Sequence, residues 1–292
     1  MDLGFVGFGL IGGSIARAVR ANPKTARWRM TAWSPSGSGP AKALKDRVID
    51  VAATGPEAAV TEADLVILAA PATACLPLID QLVGPWRNAL RPDAVVTDVA
   101  STKARIVERA DSAGLWFVGG HPMAGLETAG YGASKADLFA DRPWIVIPGA
   151  LAGPSDVARV TDLAKACRAR VVEMDAKAHD RAVSAISHLP LVVAAALAEA
   201  VAGTPGAVRD DWPAAQALAA GGWRDTTRVA RGDPAMGAAI AVTNAPVLAQ
   251  RVRDLRSVLD EWLSELERKG GPREAVLAER LAAARAVLDD QA

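Results

Sequence analysis

The chain has no charge surplus, little cysteine or histidine, and no long uncharged apolar run, and each lack excludes something. Basic and acidic side chains both number 33. A nucleic-acid protein needs a basic surplus to neutralise phosphates, so none is expected as a partner. A small anionic ligand stays open, because one or two arginines hold it. Cys75 and Cys167 are far apart and outside any CxxC or Cys/His spacing. Neither a zinc site nor a disulfide framework is expected, and no metal enters the reading. Two unpaired cysteines fit a reducing, cytoplasmic setting. Residues 1–6 lead straight into an apolar segment with no basic n-region or cleavage site. No uncharged apolar stretch reaches the roughly 20 residues that cross a bilayer. Neither export nor membrane insertion is expected.

What is present is an ordinary globular composition, 51% apolar and 23% charged, over 292 residues. That length lies near the limit of a single hydrophobic core, so one large or two smaller domains are expected. In the first half, β-rich runs at 3–8, 29–33, 65–70, 95–99, 116–119 and 144–148 alternate with amphipathic stretches at 11–21, 72–83 and 103–113. Such alternation reads as a parallel, doubly wound α/β sheet. One more helix and strand, 156–170 and 170–174, complete it. Beyond them 178–202, 214–220, 234–268 and 273–289 read as helix, with Asp233-Pro234 as cap and first residue of the third. The expected division is 1–174 and 175–292. Residues 185–202 are apolar nearly all round, which favours burial against a second copy, a homodimer through the helical domain.

Gly7-Phe8-Gly9-Leu10-Ile11-Gly12 matches GxGxxG between the first strand and the first helix. Gly7 permits the tight turn, Gly9 lets backbone approach a pyrophosphate, and Gly12 lets helix and strand pack closely. In that setting the motif marks a Rossmann-type dinucleotide site. Leu10 and Ile11 open the helix, and Ala70-Pro71 ends the strand alongside. Where an NAD site carries Asp or Glu at the end of its second strand, this chain has Ser34, followed by Pro35 and Ser36. NAD and NADP both remain open.

His121, His179 and His188 are the only histidines. His121 follows a strand in Gly119-Gly120-His121-Pro122-Met123-Ala124-Gly125, where α/β sheets bind ligands, and can take a proton from a hydroxyl. Ser101 reads as the N-cap of a helix over 102–112 and also faces the crevice. His179-Asp180 reads as a helix start. Pro190 leaves the carbonyl of Ile186 without a donor, so the helix should bend beside His188, making it a candidate site wall.

These segments resemble the prephenate and arogenate dehydrogenases of tyrosine biosynthesis. The resemblance rests on the glycine motif, Asp98-Val99-Ala100-Ser101-Thr102-Lys103, the Gly120–Gly125 stretch with Glu127, and Asp137-Leu138-Phe139. It continues through His179-Asp180, Ser187-His188-Leu189-Pro190, Gly222-Trp223-Arg224-Asp225-Thr226-Thr227-Arg228 and Asp233-Pro234-Ala235-Met236, over roughly residues 1–260. It implies an NAD- or NADP-dependent oxidative decarboxylation of prephenate or arogenate. In it His121 accepts the ring-hydroxyl proton, Ser101 bonds the hydroxyl, and Arg228 holds a substrate carboxylate bidentately, with Arg224 its local competitor. Glu127 is expected to pair with an arginine of the helical domain and gate the site. The chain departs from the family at Leu191, where many relatives have a second histidine, and at Gly237, where most have tryptophan. Both bear on the choice between prephenate and arogenate. Another two-domain Rossmann dehydrogenase would use a lysine on a helix of the second domain, and none is evident there. A non-catalytic dinucleotide sensor would not need His121, Ser101 and Arg228 together. No fused mutase or regulatory domain is expected, so any tyrosine feedback would act at the active site.

Overall fold

The protein, seen here in a computed structural model that describes residues 1–289, forms one eight-stranded sheet with helices on both faces. Its elements run β1 (Asp2–Val6), α1 (Leu10–Ala21), β2 (Arg29–Trp33), α2 (Ser38–Lys45), β3 (Val51–Ala52), α3 (Pro56–Val60) and β4 (Leu65–Leu68). There follow α4 (Ala72–Val83), β5 (Val95–Asp98), α5 (Ala104–Ser112), β6 (Phe117–Pro122), β7 (Pro143–Pro148), α6 (Pro154–Ala166) and β8 (Arg170–Glu173). The strand order is β3-β2-β1-β4-β5-β6-β7-β8. β4, Leu-Val-Ile-Leu, is buried at every position, as a strand covered on both faces must be. Its alternate side chains feed two cores: Leu65 and Ile67 join Phe5, Ile15 and Trp144, whereas Val66 and Leu68 join Ile79, Ile106 and Phe117.

The sheet is not wholly parallel, which corrects the sequence expectation. β7 runs antiparallel to β6, while β8 runs parallel to β7. A parallel neighbour needs a crossover over the sheet face, usually a helix. Residues 123–142 supply only the short turn Tyr131–Ala133 and come straight back. β3 is two residues long and carried no strand signal.

Among the described residues, the second half is helical apart from the two-residue pairing of β9 (Gly203–Thr204) with β10 (Ala207–Val208). α7 (Ala176–Val183) runs through a π turn, Ser184–His188, into α8 (Leu189–Ala202). The irregularity expected near Pro190 thus takes the form of a π turn just before it, a device frequent at functional sites. Ala176–Ala202 is, by length and composition, long and apolar enough to cross a membrane. Counting uncharged residues did not flag it, because charges interrupt both ends. Its first half buries His179, Asp180 and His188, whereas α8 buries only Ala194.

α9 (Trp212–Ala217), α10 (Gly221–Thr227), α11 (Pro234–Thr243), α12 (Ala245–Leu266) and α13 (Glu274–Asp289) complete the chain. Asp233 caps α11 as expected, accepting from the amide of Ala235 at 2.8 Å. The helix expected over 234–268 is broken at Asn244, whose side chain turns inward to the site described below.

Packing divides the chain into Met1–Val247 and Leu248–Ala292. This division does not coincide with the change of secondary structure after β8, because α7 lies against α5 and α11 against α4. In the second unit Arg280 bonds Glu261 at 3.1 Å and covers the Trp262 ring. Leu259, Leu263, Leu266 and Leu281 are exposed there.

Candidate active site and dinucleotide cleft

The glycine motif forms the turn between β1 and α1. Gly7 has φ +89°, and a Cβ there would stand 2.4 Å from the carbonyl oxygen of Ala69, so no other residue fits without moving β4. Its amide donates to Trp33 O at 2.9 Å. Gly9 caps α1 with no side-chain partner for the amides of the first turn, which Leu10 and Ile11 begin. Free amides at the positive end of a helix are an anion site. Gly12 is buried against Ala69 behind the turn.

A cavity of about 760 Å³ opens beside this turn, lined by Gly7, Gly9, Ser34, Ala70 and Pro71 among others. Leu10, Ile11 and Gly12, at the start of α1, are not among its lining residues. The cavity walls come from β1, β2, the loop after β4, α2, α4 and the Tyr131 turn. This mainly apolar slot, with free amides at one end, fits a dinucleotide.

His121 lies in β6 itself, opposite Ile145 of β7, not in the loop after it. β5 alone separates β6 from β4, a span of about 10 Å. His121 is 8% exposed, and its Nδ1 lies 2.8 Å from Nε2 of His179 on α7. The Nδ1 of His179 lies 2.8 Å from Oδ1 of Asp180. Asp180 also accepts the amides of Lys103 at 2.8 Å and Ala104 at 2.9 Å. Burial works to raise the Asp180 carboxyl, but His179 and these two amides outweigh it and hold it below its ordinary value. An ionised Asp180 takes the Nδ1–H of His179, whose Nε2 then accepts from Nδ1–H of His121. The Nε2 of His121 is left with a lone pair. Burial, followed by the charges of His179, Lys103 and His188, pushes the His121 pKa well below its ordinary value. His121 is therefore a neutral base in a fixed orientation.

Two expectations are corrected here. Ser101 does not cap the helix: α5 begins at Ala104, and the carboxylate that serves its first amides is Asp180, from another helix. Ser101 is half-buried, and its backbone acts on His188. His179-Asp180 is not the helix start either. Asp175 caps α7 by accepting from Lys177 and Ala178, each at 2.9 Å, which frees His179 and Asp180 to face inward. Sequence reasoning missed their role. The available signal was that His179 and Val183, four residues apart, share the buried stripe of α7.

Beneath the histidines, Lys103 and Asp98 form a fully buried ion pair. Asp98 also takes the amides of Ala100 at 3.0 Å and Gly120 at 3.2 Å, tying β5 to the residue before His121. His188 is 1% exposed. Asn244 donates its amide to the carbonyl of Asp180 at 2.9 Å and to Nδ1 of His188 at 3.2 Å. The His188 proton is then on Nε2, a buried donor with no hydrogen-bond partner among the described residues. Burial and the charge of His179 carry the His188 pKa down to about 4 against the pull of Asp180 and the Ser101 backbone.

Glu127 meets an arginine as expected: Oε1 accepts from Arg228 Nη1 at 2.7 Å, with both side chains at least half exposed. The guanidinium holds the Glu127 carboxyl below its usual range. Arg224, the competitor, lies in α10 before this contact. The two departures from the family pattern meet in space, since Leu191 Cδ2 lies 3.4 Å from where a Cβ on Gly237 would stand.

Known proteins match along the chain. Residues 15–173 fit the family model for the prephenate dehydrogenase nucleotide-binding domain, and residues 175–280 that for the prephenate dehydrogenase dimerization domain. The prephenate dehydrogenase of Bacillus subtilis is 35% identical over 265 residues, 90% of this chain and 67% of that protein. Synechocystis arogenate dehydrogenase matches all of both chains with a TM-score of 0.80 at 31% identity. The Aquifex aeolicus prephenate dehydrogenase, solved with hydroxyphenyl propionate and NAD+, matches 100% of this chain and 98% of its own with a TM-score of 0.85 at 26% identity.

Proposed function

The chain belongs to the prephenate dehydrogenase family, and on that premise we propose that it carries out the oxidative decarboxylation of prephenate or arogenate. The observation that carries the reading is the buried chain His121–His179–Asp180, which leaves one lone pair on a neutral imidazole of the same sheet whose glycine turn borders the cleft. A nicotinamide dinucleotide bound in the cleft supplies the hydride acceptor. Gly7, Gly9 and the first turn of α1 at Leu10 and Ile11 hold its pyrophosphate, with Ser34 at the ribose and Ala70 and Pro71 along the wall.

His121 takes the proton of the ring hydroxyl at Nε2 as the carbon bearing it is oxidised. The positive charge formed is stabilised through His179 by Asp180, which stays ionised. Ser101 bonds the same hydroxyl. Loss of the ring carboxylate as carbon dioxide makes the ring aromatic, and His121 returns its proton to the phenolate oxygen. The product is 4-hydroxyphenylpyruvate from prephenate or tyrosine from arogenate. Arg228 exchanges Glu127 for a substrate carboxylate. The pair is exposed and easily parted, so Glu127 gates without locking. His188 offers its unpaired Nε2–H to a substrate oxygen.

The working unit is a homodimer. Ile186, Met236 and Val242 on helical turns, and Leu218 just after α9, are exposed in the segment that matches the dimerization-domain model. Uncovered apolar faces of this kind favour a partner.

The test is the rise of reduced-nicotinamide absorbance with prephenate and with arogenate. Turnover with one or both is expected, and His121→Asn should lower kcat by about 10²–10⁴, the usual worth of a general base. Silence with both substrates, in protein that binds dinucleotide, would sink the reading.

A further inference from the structure

The ribose end of the cleft is built without a negative charge. Its walls include Trp33, Ser34, Ser36, Ser38 and Lys42; no carboxylate is among the lining residues, and Lys42 is the one charged side chain. In an NAD site a carboxylate at the end of the second strand binds the ribose hydroxyls and repels a 2′-phosphate. Here β2 is followed by Ser34, which is 8% exposed and whose Oγ has no hydrogen-bond partner among the described residues. A buried hydroxyl in that state is costly unless a ligand atom satisfies it.

After Ser34 the chain turns through Gly37, at φ 67°, into α2, whose first turn has no side-chain cap. Pro40 brings no amide, so Ser38 and Gly39 hold the free donors of that turn. The hydroxyls of Ser36 and Ser38 lie 2.9 Å apart. Lys42 stands one helical turn beyond Ser38 on the same face. The nearby acid, Asp46, is taken up by the Tyr131 hydroxyl and by Arg17, each at 3.0 Å. Lys42 makes no ion pair among the described residues.

We propose that Ser34, Ser36, Ser38 and Lys42 form a subsite for a phosphomonoester on the adenosine ribose, so that the protein takes NADP in preference to NAD. This rests on the dinucleotide reading above. With the pyrophosphate at the Gly7 turn, the adenosine ribose comes to the end of β2, where the four residues line the cavity. Lys42 supplies the charge, and the serine hydroxyls and the amides of α2 supply directed donors.

Calorimetric titration of the purified chain with NADP+, NAD+, 2′,5′-ADP and 5′-AMP reads this directly, without turnover. NADP+ should bind at least about tenfold more tightly than NAD+, and 2′,5′-ADP more tightly than 5′-AMP, as charge-assisted bonds to one phosphate imply. Added salt should weaken NADP+ more than NAD+. Lys42→Ala, at an exposed position, should collapse the NADP+/NAD+ ratio toward one, and Ser34→Asp should reverse it. NAD+ binding as tightly as NADP+ in the unaltered protein, or a ratio indifferent to Lys42→Ala, would overturn the subsite and leave the dinucleotide reading standing. Binding of neither dinucleotide would overturn both.

Discussion

His179 touches neither the cleft nor the solvent, yet its replacement should slow the reaction. Its Nε2 accepts from Nδ1–H of His121 at 2.8 Å. Once His121 holds the substrate proton, that bond joins a cation to an acceptor backed by Asp180. Hydrogen bonds of this kind contribute about 1.5–3 kcal/mol, which corresponds to a loss of about 10–150-fold in kcat for His179→Ala. The amides of Lys103 and Ala104 still hold Asp180, so the start of α5 survives. His179→Gln should recover part of the loss, because its amide can donate to Asp180 and its oxygen can accept from His121. Protonated His121 loses its acceptor in His179→Ala, so the acid limb of the pH–rate profile should move down. Steady-state rates from pH 5 to 9, with dinucleotide affinity measured alongside, separate positioning from misfolding. A His179→Ala enzyme that binds dinucleotide normally and turns over within about twofold of the original would refute the assignment.

Stability should fall as pH drops from 6.5 toward 4. Above 6.5 His121 and His188 are neutral whether folded or not. Below it the unfolded chain takes up protons that the folded one refuses: His188 titrates only at about 4, and His121 is held well below its ordinary value. Each refused proton costs up to about 1.4 kcal/mol per pH unit, which urea midpoints across that range would register; unchanged midpoints would remove the buried neutral histidines from the account. Arg228→Lys should raise KM about tenfold with kcat little changed, since an ammonium cannot reproduce a bidentate grip, and an unmoved KM would take Arg228 out of substrate binding. Gly7→Ala should abolish dinucleotide binding, measured by calorimetry, because the added Cβ meets the carbonyl of Ala69; retained affinity would mean that the turn adapts.

Features encoded in short stretches were legible before the fold was known. The alternation of β-rich and amphipathic segments carries the two-sided core, and the glycines at 7, 9 and 12 carry the turn at which Gly7 needs its positive φ. Asp233-Pro234 carries the start of α11. His121 was singled out from its place at the end of a strand, and the partnership of Glu127 with an arginine came from the family resemblance. Each is written in neighbouring residues, where periodicity and capping act over a few positions.

Other features depend on which elements pack together, which spacing along the chain does not record. His121 and His179 are 58 positions apart and meet because α7 packs on α5 beside β6. Asp180 caps a helix that begins 76 positions earlier, a role that local capping rules assigned to Ser101. β7 reverses because the segment before it makes no crossover, and Asn244 breaks a helix pattern in order to bond Asp180 and His188. Lys42, unremarkable in sequence, lines the cleft with Ser34, Ser36 and Ser38 because α2 starts immediately after the turn at Gly37. Neighbouring residues thus fixed the alternating scaffold and the glycine turn, and singled out His121. Tertiary packing decided what orients His121 and which charges line the cleft, because both are set by contacts between elements distant along the chain.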